Sequence, residues 1–348
     1  MKISSLLRIC FGGIIPVLLI ACSSVYETVY PTLNDGKYDS EFPYKNSSAQ
    51  LEEISNSIKL LNSIAFYTSY IFPEDRQLKL SDLKGKNYKE TASEEVYFNR
   101  SASGTATIIY ENLGNVALLT VAHIVNFPDT VISYYVDNNG TATKIVQSIS
   151  IKSRQSNYVP DLPDGGELDI VLLDKTNDIA LLGRKYSSQT TINLPVFNYP
   201  WGESADLEWG SFIYVFGFPM NYKMISKGIV SSPQRERHSF LIDAVFNRGY
   251  SGGVVLAIRD GVPNFELVGL VRSVPADYQY ILHPITKQPD IEFNPMLPYK
   301  GEVYVEREQM IRTGITKVIG IELVKELLEK NKSYLMNKNY FFGQVAKK

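Results

Sequence analysis

From about residue 100 to residue 271 the chain repeats one unit: a short run of β-branched, aromatic and aliphatic residues, closed by a turn signal. The runs are Thr105–Tyr110, Val116–Val121, Val131–Val136, Leu168–Leu173, Ile179–Leu182, Phe212–Phe216, Phe240–Ala244, Val254–Ile258 and Leu267–Val271. Leu113-Gly114-Asn115, Asn139-Gly140 and Asp260-Gly261 punctuate them. Such residues suit a pleated, half-buried surface, and Gly or Asn permits the tight reversals between strands. Many short strands over this length predict an all-β sandwich or a pair of barrels. Helical spacing flanks the region. Leu51, Ile54, Ile58 and Leu61, with Glu52, Glu53 and Lys59 between them, predict a short N-terminal helix. Ile321, Val324, Leu327 and Leu328 predict a C-terminal one. Ile64–Phe72 reads as a strand, and the charged stretch 73–98 as a loop.

With 348 residues, 44% of them hydrophobic and 21% charged, the chain can bury a sizeable core. Its formal net charge of -2 provides no electrostatic footprint for nucleic acid. Lys2 and Arg8 precede an apolar run, Ile9–Ala21, that is too short for a typical spanning helix and reads as a signal peptide over residues 1–21. Its end, Leu19-Ile20-Ala21-Cys22, resembles the lipobox of bacterial lipoproteins. The resemblance implies cleavage before Cys22, lipidation (palmitate) of that Cys, and a chain anchored to the membrane of the cell envelope. Ser23 follows in place of an inner-membrane retention Asp, so the outer membrane is expected in a two-membrane organism. Cys10 would be removed, leaving Cys22 alone, so no intrachain disulfide is possible. Residues 22–48, polar and turn-rich, read as a tether.

Three segments carry chemistry. Leu118-Leu119-Thr120-Val121-Ala122-His123 runs an apolar strand into a His. Asp178-Ile179-Ala180-Leu181-Leu182 sets an Asp before another. Asn247-Arg248-Gly249-Tyr250-Ser251-Gly252-Gly253 places a Ser among glycines. A Ser hydroxyl is a weak nucleophile and needs a base. His titrates near neutrality and can take and return a proton. A buried carboxylate fixes its tautomer and stabilises the imidazolium. Gly249 allows a bend that aims two N–H groups at one oxyanion. Asp169 and Asp174 are rivals to Asp178; His238 and His283 have no comparable context.

These segments resemble the chymotrypsin-like serine peptidases of the trypsin clan, especially their bacterial HtrA-type and glutamyl-endopeptidase-like branch. Thr120-Val121-Ala122-His123 matches the family's T-A-A-H, Asp178–Leu182 its D-I-A-L-L, and Gly249–Gly253 its G-[DN]-S-G-G, in the clan's order His, Asp, Ser. Gly104-Thr105, Gly217-Phe218-Pro219, Gly228-Ile229-Val230-Ser231, Asp243-Ala244 and Gly269-Leu270-Val271 match secondary motifs in order. The resemblance implies two packed six-stranded antiparallel barrels, the first over about 62–200 and the second over about 205–320, within a domain spanning 49–331, with a tail at 332–348. It implies a membrane-anchored serine endopeptidase acting on protein or peptide through an acyl-enzyme. His123, Asp178 and Ser251 would be its triad, and the N–H groups of Gly249 and Ser251 its oxyanion hole. It implies neither metal nor cofactor. Val245 would stand where trypsin carries its pocket-bottom Asp, and Arg272 and Val274 would line the substrate pocket. A small or medium apolar residue is then expected before the scissile bond.

Departures qualify this. Tyr250 replaces the Asp that pairs with the new N-terminus in trypsin-type zymogens, so no activation cleavage is expected. No PDZ-like segment follows residue 331. The acidic loop 160–167 and the long segment 275–308 have no family pattern; the latter reads as lying near the specificity pocket or as a solvated insertion. The alternative function is a catalytically silent protease-like surface lipoprotein used for binding or adhesion.

Overall fold

A computed structural model describes residues 34–43, 45–137, 140–187, 193–233, 238–244, 247–273, 276–284, 296, 301–311 and 314–342. The expected signal peptide and Cys22 lie outside these residues.

The N-terminal helix α1 (Ser48–Ser57) passes directly into β1 (Ile58–Ile71). The expected helix therefore stops short: Ile58 and Leu61 are fully buried on a strand, not on a helix face. The reason is strand pairing. β1 pairs with β2 (Glu94–Asn112) along one edge and with β5 (Ala142–Tyr158) along the other. Fourteen residues paired with β2, ten of them also with β5, outweigh weak helix propensity. The stretch read as loop holds two one-turn helices, α2 (Leu80–Leu83) and α3 (Tyr88–Thr91), and the start of β2.

The first barrel is completed by β3 (Asn115–Thr120), β6 (Glu167–Asp174) and β7 (Ile179–Lys185), in the order β1-β2-β3-β7-β6-β5. β4 (Thr130–Val136) adds to β5 as an outer strand. Leu113 and Gly114, both at positive φ, form the β2–β3 reversal. The second barrel closes in the order β10-β15-β12-β11-β8-β9. Its strands are β8 (Phe212–Gly217), β9 (Met224–Ser232), β10 (Ser239–Ile242), β11 (Val254–Ile258), β12 (Phe265–Ser273) and β15 (Thr316–Gly320). Two closed six-stranded antiparallel barrels, with short helices at either end, are the expected architecture. Closure removes the exposed sheet edges that invite aggregation.

The segment 275–308 contributes a ribbon: among the described residues β13 (Ala276–Pro284) pairs with β14 (Val303–Ile311) alone. Its paired part is a hairpin rather than a structureless insertion.

One apolar cluster runs through both barrels, from Ile58, Leu118 and Leu181 to Phe216, Leu256 and Leu270, so the two pack as one core. The chain ends reinforce this. The described part of the expected tether is docked: Asp39 donates to Ile258 and accepts from Phe212, and the Tyr38 hydroxyl donates to Glu266 at 2.6 Å. The N-terminal segment therefore straps the second barrel. At the other end α5 (Ile321–Lys330) and α6 (Lys332–Asn337) lead to Tyr340 and Phe342, which pack against Tyr110 of the first barrel. Residues 332–342 of the expected tail are held there, and Tyr110 donates to the Asn339 carbonyl. Among the described residues no helix is long and apolar enough to cross a membrane.

Candidate active site

The first barrel supplies two of the three expected residues. β3 is fully buried and delivers the chain into a one-turn helix, α4 (Ala122–Val125), whose second residue is His123. Its side chain is 45% exposed. Across from it, the β6–β7 turn is built by Asp174, whose carboxylate accepts the N–H groups of Thr176 and Asn177. These bonds stabilise its charge and hold the Asp174 carboxyl below its ordinary range, although partial burial opposes them. That turn ends at Asp178 with φ 62°, a left-handed conformation that Asp tolerates better than most residues. Asp174 is thus a turn builder, and Asp169 faces solvent on β6.

The Asp178 carboxylate is 7% exposed and holds His123 twice. Oδ1 accepts the backbone N–H of His123 at 2.8 Å, and Oδ2 lies 2.9 Å from the ring Nδ1. With the proton on Nδ1, the bond leaves Nε2 as a free base. The Ala122 N–H also reaches the Asp178 carbonyl, so backbone and side chain fix one geometry.

The second barrel supplies Ser251, in the loop between β10 and β11. Gly249 sits at φ 110°, and a Cβ there would fall 2.1 Å from the Phe218 carbonyl oxygen. Gly252, at φ 80°, would meet the Thr105 carbonyl equally closely. Only glycine fits either place. Among the described residues no acceptor takes the N–H of Gly249 or of Ser251. The Ser251 hydroxyl donates to the Arg272 carbonyl at 3.4 Å, a long bond, and not to His123.

Two contacts escaped the motifs. Thr105 is fully buried on β2 and crosses the barrel interface. Its N–H donates to Ser251 O at 2.8 Å, its hydroxyl donates to Gly249 O at 2.8 Å, and the Phe218 N–H donates to that hydroxyl at 3.0 Å. Gly104-Thr105 marks the strand in the sequence; the role of the hydroxyl does not show there. Arg272, at the end of β12, reaches back across the cleft: its Nε is 3.3 Å from Asp178 Oδ2. Val245 and Val274 lie outside the described residues.

Tyr250 is buried, with its hydroxyl 2.7 Å from Ser226 Oγ on β9, and burial pushes its phenol up. His238 and His283 stand apart from the cleft; His283 is 3.8 Å from Glu306 on the β13–β14 ribbon.

Residues 104–270 match the family model described as a trypsin-like peptidase domain. The match begins beside Thr105, spans His123, Asp178 and Ser251, and ends two residues before Arg272. No curated protein matches the chain.

Proposed function

We propose that this double-barrel protein is a working serine endopeptidase of the trypsin-like kind, with Ser251 as nucleophile, His123 as base and then acid, and Asp178 as the orienting carboxylate. The observation that carries the reading is the doubly held His123, presented by a buried Asp in the cleft where the Ser251 loop of the other barrel arrives. Ser251 attacks the scissile carbonyl as its proton passes to His123 Nε2. The N–H groups of Gly249 and Ser251 receive the oxyanion. His123 then returns the proton to the leaving amine, and water repeats the sequence on the acyl-enzyme. Thr105, by holding Gly249 O, keeps the Gly249–Tyr250 peptide turned so that the oxyanion donors face the cleft.

Tyr250 fits a site that assembles without activation cleavage. Where a zymogen would use an Asp to capture a new N-terminus, a buried phenol is anchored to Ser226 instead. Anchorage through lipid on Cys22, and an envelope location with the outer membrane favoured, belong to the same reading and rest on Leu19–Cys22. Metabolic labelling with a fatty-acid analogue, lost in Cys22→Ala, tests them.

The catalytically silent binding module is favoured by one observation: the Ser251 hydroxyl rests on Arg272 O instead of on the imidazole. That bond is long, and catalytic hydrogen bonds often tighten only with substrate bound. A fluorophosphonate probe decides. The expected result is labelling of Ser251 in wild type, none in Ser251→Ala, and peptide-library cleavage that follows the same pattern. Folded wild type that is neither labelled nor active would leave the binding module standing.

A further inference from the structure

Arg272 joins the halves of the cleft by two routes. Its carbonyl accepts the Ser251 hydroxyl, and its side chain reaches Asp178 Oδ2, the oxygen that also faces His123 Nδ1. β12 is itself pinned to the nucleophile loop, because the Gly252 N–H donates to Val271 O and the Val271 N–H to Gly253 O. The guanidinium is thus delivered from the second barrel to a carboxylate of the first. Its side chain is 34% exposed, open on one side to the cleft.

A carboxylate buried to this degree needs compensation for lost hydration. While His123 is neutral it supplies a hydrogen bond but no charge. Among the described residues, Arg272 is the permanent cation paired with Asp178. Its charge offsets that lost hydration and holds the carboxylate stationary in the resting site. Once His123 is protonated, two cations share one oxygen, and like charges there oppose each other.

We infer that Arg272 is a positioning residue that acts through Asp178: it holds the carboxylate for neutral His123 and opposes the imidazolium, extending activity toward acid pH. This rests on the triad reading above. Several charges on the elements beside α4 have partners of their own. α4 packs against β1, β2, β6 and β7. Lys59 of β1 pairs with Asp161, and Asp174 at the end of β6 is capped by its own turn. Beyond α4, Lys152 pairs with Asp129 at 2.8 Å. Within ion-pair distance of Asp178, the described residues offer only His123 and Arg272.

The test is the second-order rate of Ser251 labelling by a fluorophosphonate, measured from about pH 5 to about pH 9 for wild type, R272K and R272Q. R272Q, which loses the charge, is expected to move the acid limb upward by roughly 0.5–1 pH unit, a shift reduced from the fully buried case by partial exposure. R272K retains the charge and is expected to keep the wild-type limb even if its plateau is lower. A folded R272Q that loses rate by the same factor at every pH would reduce Arg272 to a structural strut and overturn the inference. Should R272Q fail to fold, R272M, which keeps the aliphatic stem, carries the same test. Unlabelled wild type would instead count against the triad reading itself.

Discussion

Replacing Thr105 with Val exchanges a hydroxyl for a methyl of nearly the same volume, at a fully buried site. No cavity forms, so the effect is carried by hydrogen bonds. The hydroxyl serves two partners from the second barrel, Gly249 O at 2.8 Å and Phe218 N–H at 3.0 Å, and Val can serve neither. Each of the two orphaned buried groups costs about 1–3 kcal/mol, and the added methyl recovers about 1 kcal/mol, for a net loss of roughly 1–5 kcal/mol. Thr105→Ser keeps both bonds and loses one methyl, about 1 kcal/mol. Urea unfolding with an unchanged m-value should therefore rank wild type above Ser above Val. Function should follow the hydroxyl too. Loss of one oxyanion donor costs about 10²–10³ in kcat, and a donor left in place but misdirected should cost about 10–10². Fluorophosphonate labelling of Ser251 should slow accordingly in Thr105→Val and stay near wild type in Thr105→Ser. If the Val variant proves as stable as the Ser variant and labels at the wild-type rate, the cross-barrel clamp does not organise the nucleophile loop.

Two further expectations can be checked directly. Asp178→Asn retains the size and tolerates the positive φ, but its amide cannot accept at both oxygens; kcat should fall by on the order of 10³–10⁴ with the fold intact, measured by peptide cleavage beside a urea melt. Burial, reinforced by Glu41, Asp260 and Asp35 and partly offset by the Gly261 N–H, pushes the Asp39 carboxyl from 3.8 up to about 6. The native state therefore binds this proton more tightly than the unfolded chain, so Asp39 makes stability fall as pH rises from about 4 to about 6, by about 1–3 kcal/mol, and Asp39→Asn should flatten that slope in pH-resolved thermal melts.

What the sequence made legible was local. β3, β7 and β11 are short runs with apolar centres beside turn residues, and each residue of the proposed triad lies in its own motif. β5 escaped because it is polar on much of both faces and pairs with β1, β4 and β6 through irregular registers. Ile58 and Leu61 kept helical spacing in a strand, since pairing with β2 rather than local propensity decided their conformation. The Thr105–Gly249 and Arg272–Asp178 contacts join residues far apart in the chain, and no spacing rule reaches that distance. The β13–β14 ribbon was hidden by the length of the segment that contains it.

The crossed docking of the two chain ends makes the halves of this protein hard to pull apart. Tyr38 and Asp39 precede the first barrel yet close onto the second, while Tyr340 and Phe342 follow the second yet close onto the first. A cut anywhere in residues 186–211, the connection between β7 and β8, would therefore give two pieces that each hold a missing part of the other. Neither piece keeps a complete barrel surface by itself, and each carries the strap that its counterpart lacks. Such a nick should leave a noncovalent pair that stays together on dilution and keeps His123 facing Ser251, because the two straps hold the halves at high effective concentration. The barrels are bound less by the thread between them than by an exchange of ends.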